Sequence, residues 1–77
     1  MDWRDRITSD PNVCHGKACI KGTRVMVWVV LDNLAGGESV EAIMEGYHLE
    51  REDIEAALLY AADLSRDRIM TIPRDVA

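Results

Sequence analysis

The sequence predicts a mainly α-helical domain: three helices in a helix-turn-helix-like, homeodomain-like arrangement, behind a short N-terminal β-hairpin. Three observations predict it. Apolar residues recur at helical spacing in Val27, Val30, Leu31 and Leu34, and again in Ile54, Ala57, Leu58 and Ala61. Helix stop and start signals, Gly36-Gly37 and Ser39, stand between the two stripes. Ahead of both, residues 14–24 are short, polar and punctuated by Gly16 and Gly22, as turns are.

In chain order, Ile7-Thr8-Ser9 is a β-prone piece and Asp10-Pro11-Asn12 a turn, because Pro fixes φ and Asp and Asn bond back to the local backbone. Val13-Cys14 and Ala18-Cys19-Ile20 are expected to pair as the hairpin around His15-Gly16-Lys17, with Gly16 supplying a positive φ. Val25, Val27 and Val29 alternate like a strand, yet the wider stripe has helical period, and we read a helix from about Met26 to Ala35. Ser39 caps a second helix, Val40 to Glu45, that ends at Gly46 with Ile43 and Met44 facing inward. Tyr47-His48-Leu49 is the turn. The third helix runs from about Arg51 to Leu64, with Glu52, Asp53 and Glu55 in its first turns, where negative charge suits the helix dipole. Residues 1–68 form a single domain and residues 69–77 a C-terminal arm.

A chain of 77 residues supports one domain with a small core, and such domains often gain stability by associating. Hydrophobic residues make up 48% of it, enough for a globular fold, but there is no Phe. The apolar run from Val25 to Leu31 is too short to span a bilayer, so no membrane partner is expected. The charged start, Met-Asp-Trp-Arg-Asp-Arg, has no apolar signal segment, and two Cys are too few for a disulfide scaffold. Both point to a reduced, cytoplasmic protein. The net charge of −5 is uneven: residues 1–36 carry five basic and four acidic groups, residues 37–77 four basic and ten acidic. That balance disfavours phosphate binding by the whole surface and favours either a basic partner protein or DNA contact confined to the N-terminal part.

The chemistry-bearing residues fall into few groups. Cys14, His15 and Cys19 do not have zinc spacing, since Cys-x4-Cys stands alone, and no metal or disulfide is expected. Gly16-Lys17 with Gly22-Thr23 runs in the wrong order for a phosphate loop. No nucleophile, His or Lys stands at a telling spacing from the acidic residues, so no catalytic residue or cofactor is expected. Lys17, Lys21 and Arg24 cluster before the first helix and read either as DNA phosphate contacts or as a solvated hairpin face. A groove-reading third helix would offer cations at its front, and this one offers Arg51 among Glu52, Asp53 and Glu55. Trp28 lies off the first helix's stripe, which predicts a homodimer through Val25, Trp28 and Val29. Ile69, Met70 and Ile72 make the arm apolar for a terminus and suit it to a partner.

The frame Asp10-Pro11, Cys14, Gly16-Lys17, Ile20, Gly22-Thr23-Arg24-Val25 resembles the domain of unknown function four-three-three family of small prokaryotic proteins. Gly36, Ser39, Ile43, Tyr47, Leu49, Asp53, Ile54, Ala56, Ala57, Leu58, Tyr60 and Ala61 continue the resemblance, which covers about Arg6 to Leu64. It implies a helix-turn-helix-like fold and an antitoxin-like role. Two positions depart from the pattern: Met26 stands where the family usually has Pro, and Glu50 where it tends to have Thr, which implies a poorer cap on the third helix. The expected function is a non-enzymatic antitoxin-like regulator that binds a toxin nuclease, with operator DNA as a further partner. The alternative is a protein-interaction or dimerisation module without DNA binding.

Overall fold

The computed structural model of the protein describes residues 1–67. Strand β1 is Ile7–Thr8 and strand β2 is Cys19–Ile20. They run antiparallel, with Ile7 opposite Ile20 and Thr8 opposite Cys19. The N-terminal hairpin is thus present, but its first arm is Ile7–Thr8 and not Val13–Cys14. The reason is conformational: Cys14 and His15 have φ of 52° and 56°, and Gly16 has 80°. Three left-handed residues in a row cannot continue a pleat, and each non-glycine one costs about 1 kcal/mol. Neighbouring hydrogen bonds offset this cost. The Asp10 carbonyl accepts from the N–H groups of Val13 at 2.9 Å and Gly16 at 3.1 Å. The Asp10 carboxylate accepts from Asn12 N–H at 2.8 Å, and the Ser9 hydroxyl donates to Gly16 O.

The other edge of β2 is covered too. Ile20 N–H donates to Val25 O at 2.8 Å and Val27 N–H to Ala18 O at 3.0 Å, around a bridge between Cys19 and Met26. From there the chain enters α1, Val27–Ala35, whose N-terminus has no side-chain cap. Gly36 and Gly37 end it, Gly37 at φ 94°. Helix α2, Val40–Tyr47, starts where expected, with Ser39 Oγ accepting from Ala42 N–H at 3.1 Å. It does not stop at Gly46. A glycine inside a helix is only a weak former, and the left-handed residue that ends the helix is His48, φ 56°, whose N–H bonds Met44 O.

Helix α3, Arg51–Asp67, runs three residues beyond the expected end at Leu64. Its start is fastened from within the helix: the Asp53 carboxylate reaches back to Glu50 N–H at 2.9 Å, half of a capping box. Arg6 binds the same carboxylate at 2.9 Å, which fixes the β1 lead-in to the start of α3. The core joins Ile7, Ile20, Val27, Val30, Ile43, Leu49, Ile54, Ala56 and Ala57. Leu58, expected in the stripe, is 47% exposed, and Ala56 is buried instead. At the far end, Trp3 stands edge-on to Tyr60 with ring centroids 4.9 Å apart and donates its indole N–H to Asp63. Arg4 lies over the Trp3 ring at 4.4 Å. The chain start is thereby clasped to the later turns of α3.

Candidate functional site

The backbone between β2 and α1 makes a fixed turn. Thr23 N–H donates to Ile20 O at 3.0 Å, with Gly22 third in the turn at φ 79°. That position of a β-turn takes glycine when φ is positive. Thr23 locks it further: its hydroxyl donates to Ile20 O at 2.8 Å and accepts from Val25 N–H at 3.0 Å. Two thiols complete the fastening. Cys19 Sγ lies 3.8 Å from Thr23 O, and Cys14 Sγ lies 3.3 Å from Arg24 O. Burial pushes the Cys19 thiol pKa up, and the neighbouring Cys14 thiol pushes the same way.

Lys21 and Arg24 are exposed on this turn. Among the described residues neither side chain makes an ion pair or hydrogen bond, and neither does Lys17. Every other described basic side chain does: Arg4 with Asp2, Arg6 with Asp53, Arg51 with Glu41 and Arg66 with Asp63. The first turn of α1 contains no acidic residue, so the positive end of its dipole is uncompensated beside these cations. Two clefts flank the turn. One, of about 440 Å³, lies between Lys21 and the start of α3, where Arg6, His48, Glu50 and Asp53 line it. The other, of about 530 Å³, is lined by Arg24 with Thr8, Asp10 and Val13.

Of the three basic residues, Lys21 and Arg24 stand on the same turn, each beside a different one of the two clefts, whereas Lys17 stands apart. It borders a groove of about 260 Å³ whose other walls are apolar, including Trp28, Leu31 and Leu64. Trp28 is 55% exposed there. Of its expected interface companions, Val25 packs against the core and Val29 is half-buried. The arm residues Ile69, Met70 and Ile72 lie outside the described residues. The front of α3 is occupied by its own chain. Arg51 binds Glu41 at 2.9 Å, and Glu41 is held below the ordinary carboxylate range, first by its own backbone N–H and then by Arg51. Among the described residues no group of three or more His, Cys, Asp or Glu gathers as a metal site. Nor is any described helix long and apolar enough to cross a membrane.

Sequence reasoning missed the Arg6–Asp53 pair and the Trp3 clasp. A signal for Asp53 was available, since an acid three residues after Glu50 has capping-box spacing. The Trp3–Asp63 pairing, 60 residues apart, carries no local signal.

Fold and site define a small three-helix domain with a two-stranded hairpin and an exposed turn that carries Lys21 and Arg24. The chain belongs to the family described as protein of unknown function (DUF433), which matches residues 7–61, from the start of β1 into α3. The matched region includes both cysteines and the turn but leaves out Trp3 and Asp63. One relative is the uncharacterized protein y4eO of Sinorhizobium fredii (strain NBRC 101917 / NGR234), 39% identical over 59 residues. The match covers 75% of this chain and 27% of that protein, so the chain spans about a quarter of that relative's length. No solved structure matches the chain.

Proposed function

We propose that this protein is a non-enzymatic, antitoxin-like regulator of the cytoplasm that binds a toxin nuclease and contacts operator DNA through Lys21 and Arg24. The antitoxin part rests on the resemblance of the residue pattern. The DNA part is carried by one observation: among the described residues Lys21 and Arg24 have no partner, on a turn that neutral groups hold in place, while the other described Arg side chains are tied to carboxylates. A rigid cationic turn beside an uncapped helix start suits backbone phosphates, which ask for charge and position but not for base-reading side chains. The acidic front of α3 suits DNA badly.

The test is retention of the protein on DNA from upstream of its own gene at low salt. Changing Lys21→Ala and Arg24→Ala together lowers affinity and cuts the salt slope by about two units, with sequence preference little altered. Arg51→Ala does much less. If Arg51→Ala abolishes binding while the double variant is silent, α3 enters the groove and the reading is wrong.

A second reading, an interaction and dimerisation module without DNA contact, is favoured by the groove at Trp28, Leu31 and Leu64. It predicts a dimer at tens of micromolar by light scattering, weakened by Trp28→Ala far more than by Trp3→Ala, and no DNA retention at any salt.

A further inference from the structure

Cys14 and Cys19 make no part of the proposed DNA contact, yet both thiols rest on the turn that would make it. Cys14 Sγ lies 3.3 Å from Arg24 O and Cys19 Sγ 3.8 Å from Thr23 O, which seats both sulfurs on two adjacent residues of the turn. Four residues separate them in the chain, with left-handed Gly16 among the four, so closing a ring between them orders little additional backbone. Their exposure differs: Cys14 is half-buried and Cys19 is fully buried.

We propose that Cys14 and Cys19 are an oxidation site, which a peroxide-class oxidant converts to an internal disulfide that loosens the Lys21–Arg24 turn. The regulatory sense rests on the DNA reading above; the thiol chemistry does not. The oxidant reaches Cys14 first. Cys14 Sγ attacks one peroxide oxygen, the O–O bond breaks, and a sulfenic acid and water result. Cys19 Sγ then attacks Cys14 Sγ, forming the S–S bond, and the departing hydroxyl takes up the Cys19 proton as a second water. Two thiols are oxidised and one peroxide is reduced to two waters. Because burial holds the Cys19 thiol protonated, this second step quickens as pH rises. The disulfide has no S–H to donate, so Thr23 O and Arg24 O both lose a partner. The Thr23 hydroxyl bonds and the Lys21 N–H bond to Arg6 O remain, and the Thr23–Arg24 side of the turn loses both of its thiol contacts.

The test treats the full chain with hydrogen peroxide, alkylates it and weighs it. Both thiols should vanish together in a monomeric product two hydrogens lighter. Cys14→Ser should leave Cys19 unreacted, and Cys19→Ala should stop at a sulfenic acid on Cys14 that dimedone traps. A disulfide between chains, or an overoxidised Cys14 beside an intact Cys19, overturns the site. Trypsin reads the turn without DNA: cleavage after Lys21 and Arg24 should be about fivefold faster in the oxidised chain, and dithiothreitol should reverse it. Equal cleavage rates overturn the loosening. Operator retention lost on oxidation and regained on reduction supports the whole proposal. Absence of retention in the reduced protein overturns the DNA reading and leaves the disulfide standing.

Discussion

Residues 48–50 lead into α3 and residues 21–26 lead into α1, and the two stretches put charge to different use. Ahead of α3 a carboxylate does the fastening. Asp53 accepts from Glu50 N–H and from Arg6, and its charge and the guanidinium's satisfy each other. That pairing holds the Arg6 guanidinium above its ordinary pKa, through the hydrogen bond it donates to Asp53 first of all. Ahead of α1 the fastening is done by a threonine hydroxyl, two thiols and the backbone. No charge is consumed, and Lys21 and Arg24 stay free of partners among the described residues. Turning a chain into a helix therefore either uses up charge or leaves it available. A binding surface is to be sought where neutral groups do the turning.

Four changes break or sharpen this contrast, all read by thermal or urea unfolding. Asp53→Ala removes the bond to Glu50 N–H and leaves Arg6 only its looser pair with Glu50 at 3.9 Å, and should cost roughly 2 kcal/mol. If it costs nothing, the carboxylate is not what fastens that end. Gly22→Ala meets no atom within 4 Å, so its cost is conformational only, about 1 kcal/mol for an L-residue at φ 79°. A neutral result would mean that the turn at 21–24 is not fixed. Met26→Pro should stabilise by about 0.4–1 kcal/mol. Met26 already has φ −74° and its N–H donates to no described backbone group, so Pro would lose no backbone bond, only the exposed contact of the Met26 sulfur with the Trp28 indole N–H at 3.0 Å. Destabilisation instead would show that the start of α1 is less prepared than its geometry indicates. Lys21→Ala with Arg24→Ala should change stability least, within about 0.5 kcal/mol, because no described residue pairs with either charge. A large loss of stability would make them structural and remove the basis for a DNA role.

The helices were legible because their signals are local. Ser39 announces α2 and bonds Ala42 N–H, and the glycines at 36 and 37 stop α1 where expected. The same locality explains the errors. Gly46 looked like a stop, but helix ends are set by which residue turns left-handed, and that is His48. The β-prone Ile7–Thr8 was visible, yet its partner at 19–20 could not be read without knowing that Cys14 and His15 are left-handed, a conformation that neither residue type advertises. The cationic turn was half legible: Lys21 and Arg24 flank a glycine in plain view. Their lack of partners was not, because Arg6 and Arg51 look equally free in the sequence until Asp53 and Glu41 fold against them.

The Trp3 clasp has a kinetic meaning. Its indole hydrogen bond joins positions 60 apart, so it closes far more chain than any helix or turn contact here. Chain closure over that length cannot reward a folding chain until both ends are already in place, so such contacts form after the local ones. An interaction absent from the transition state slows unfolding without hurrying folding. The clasp thus acts as a latch: it adds little to how the helices find one another and much to how long they stay together. By the same reasoning, release of the N-terminal residues from α3 should come early in unfolding, and it would uncover Tyr60 beside the apolar groove at Trp28 and Leu64.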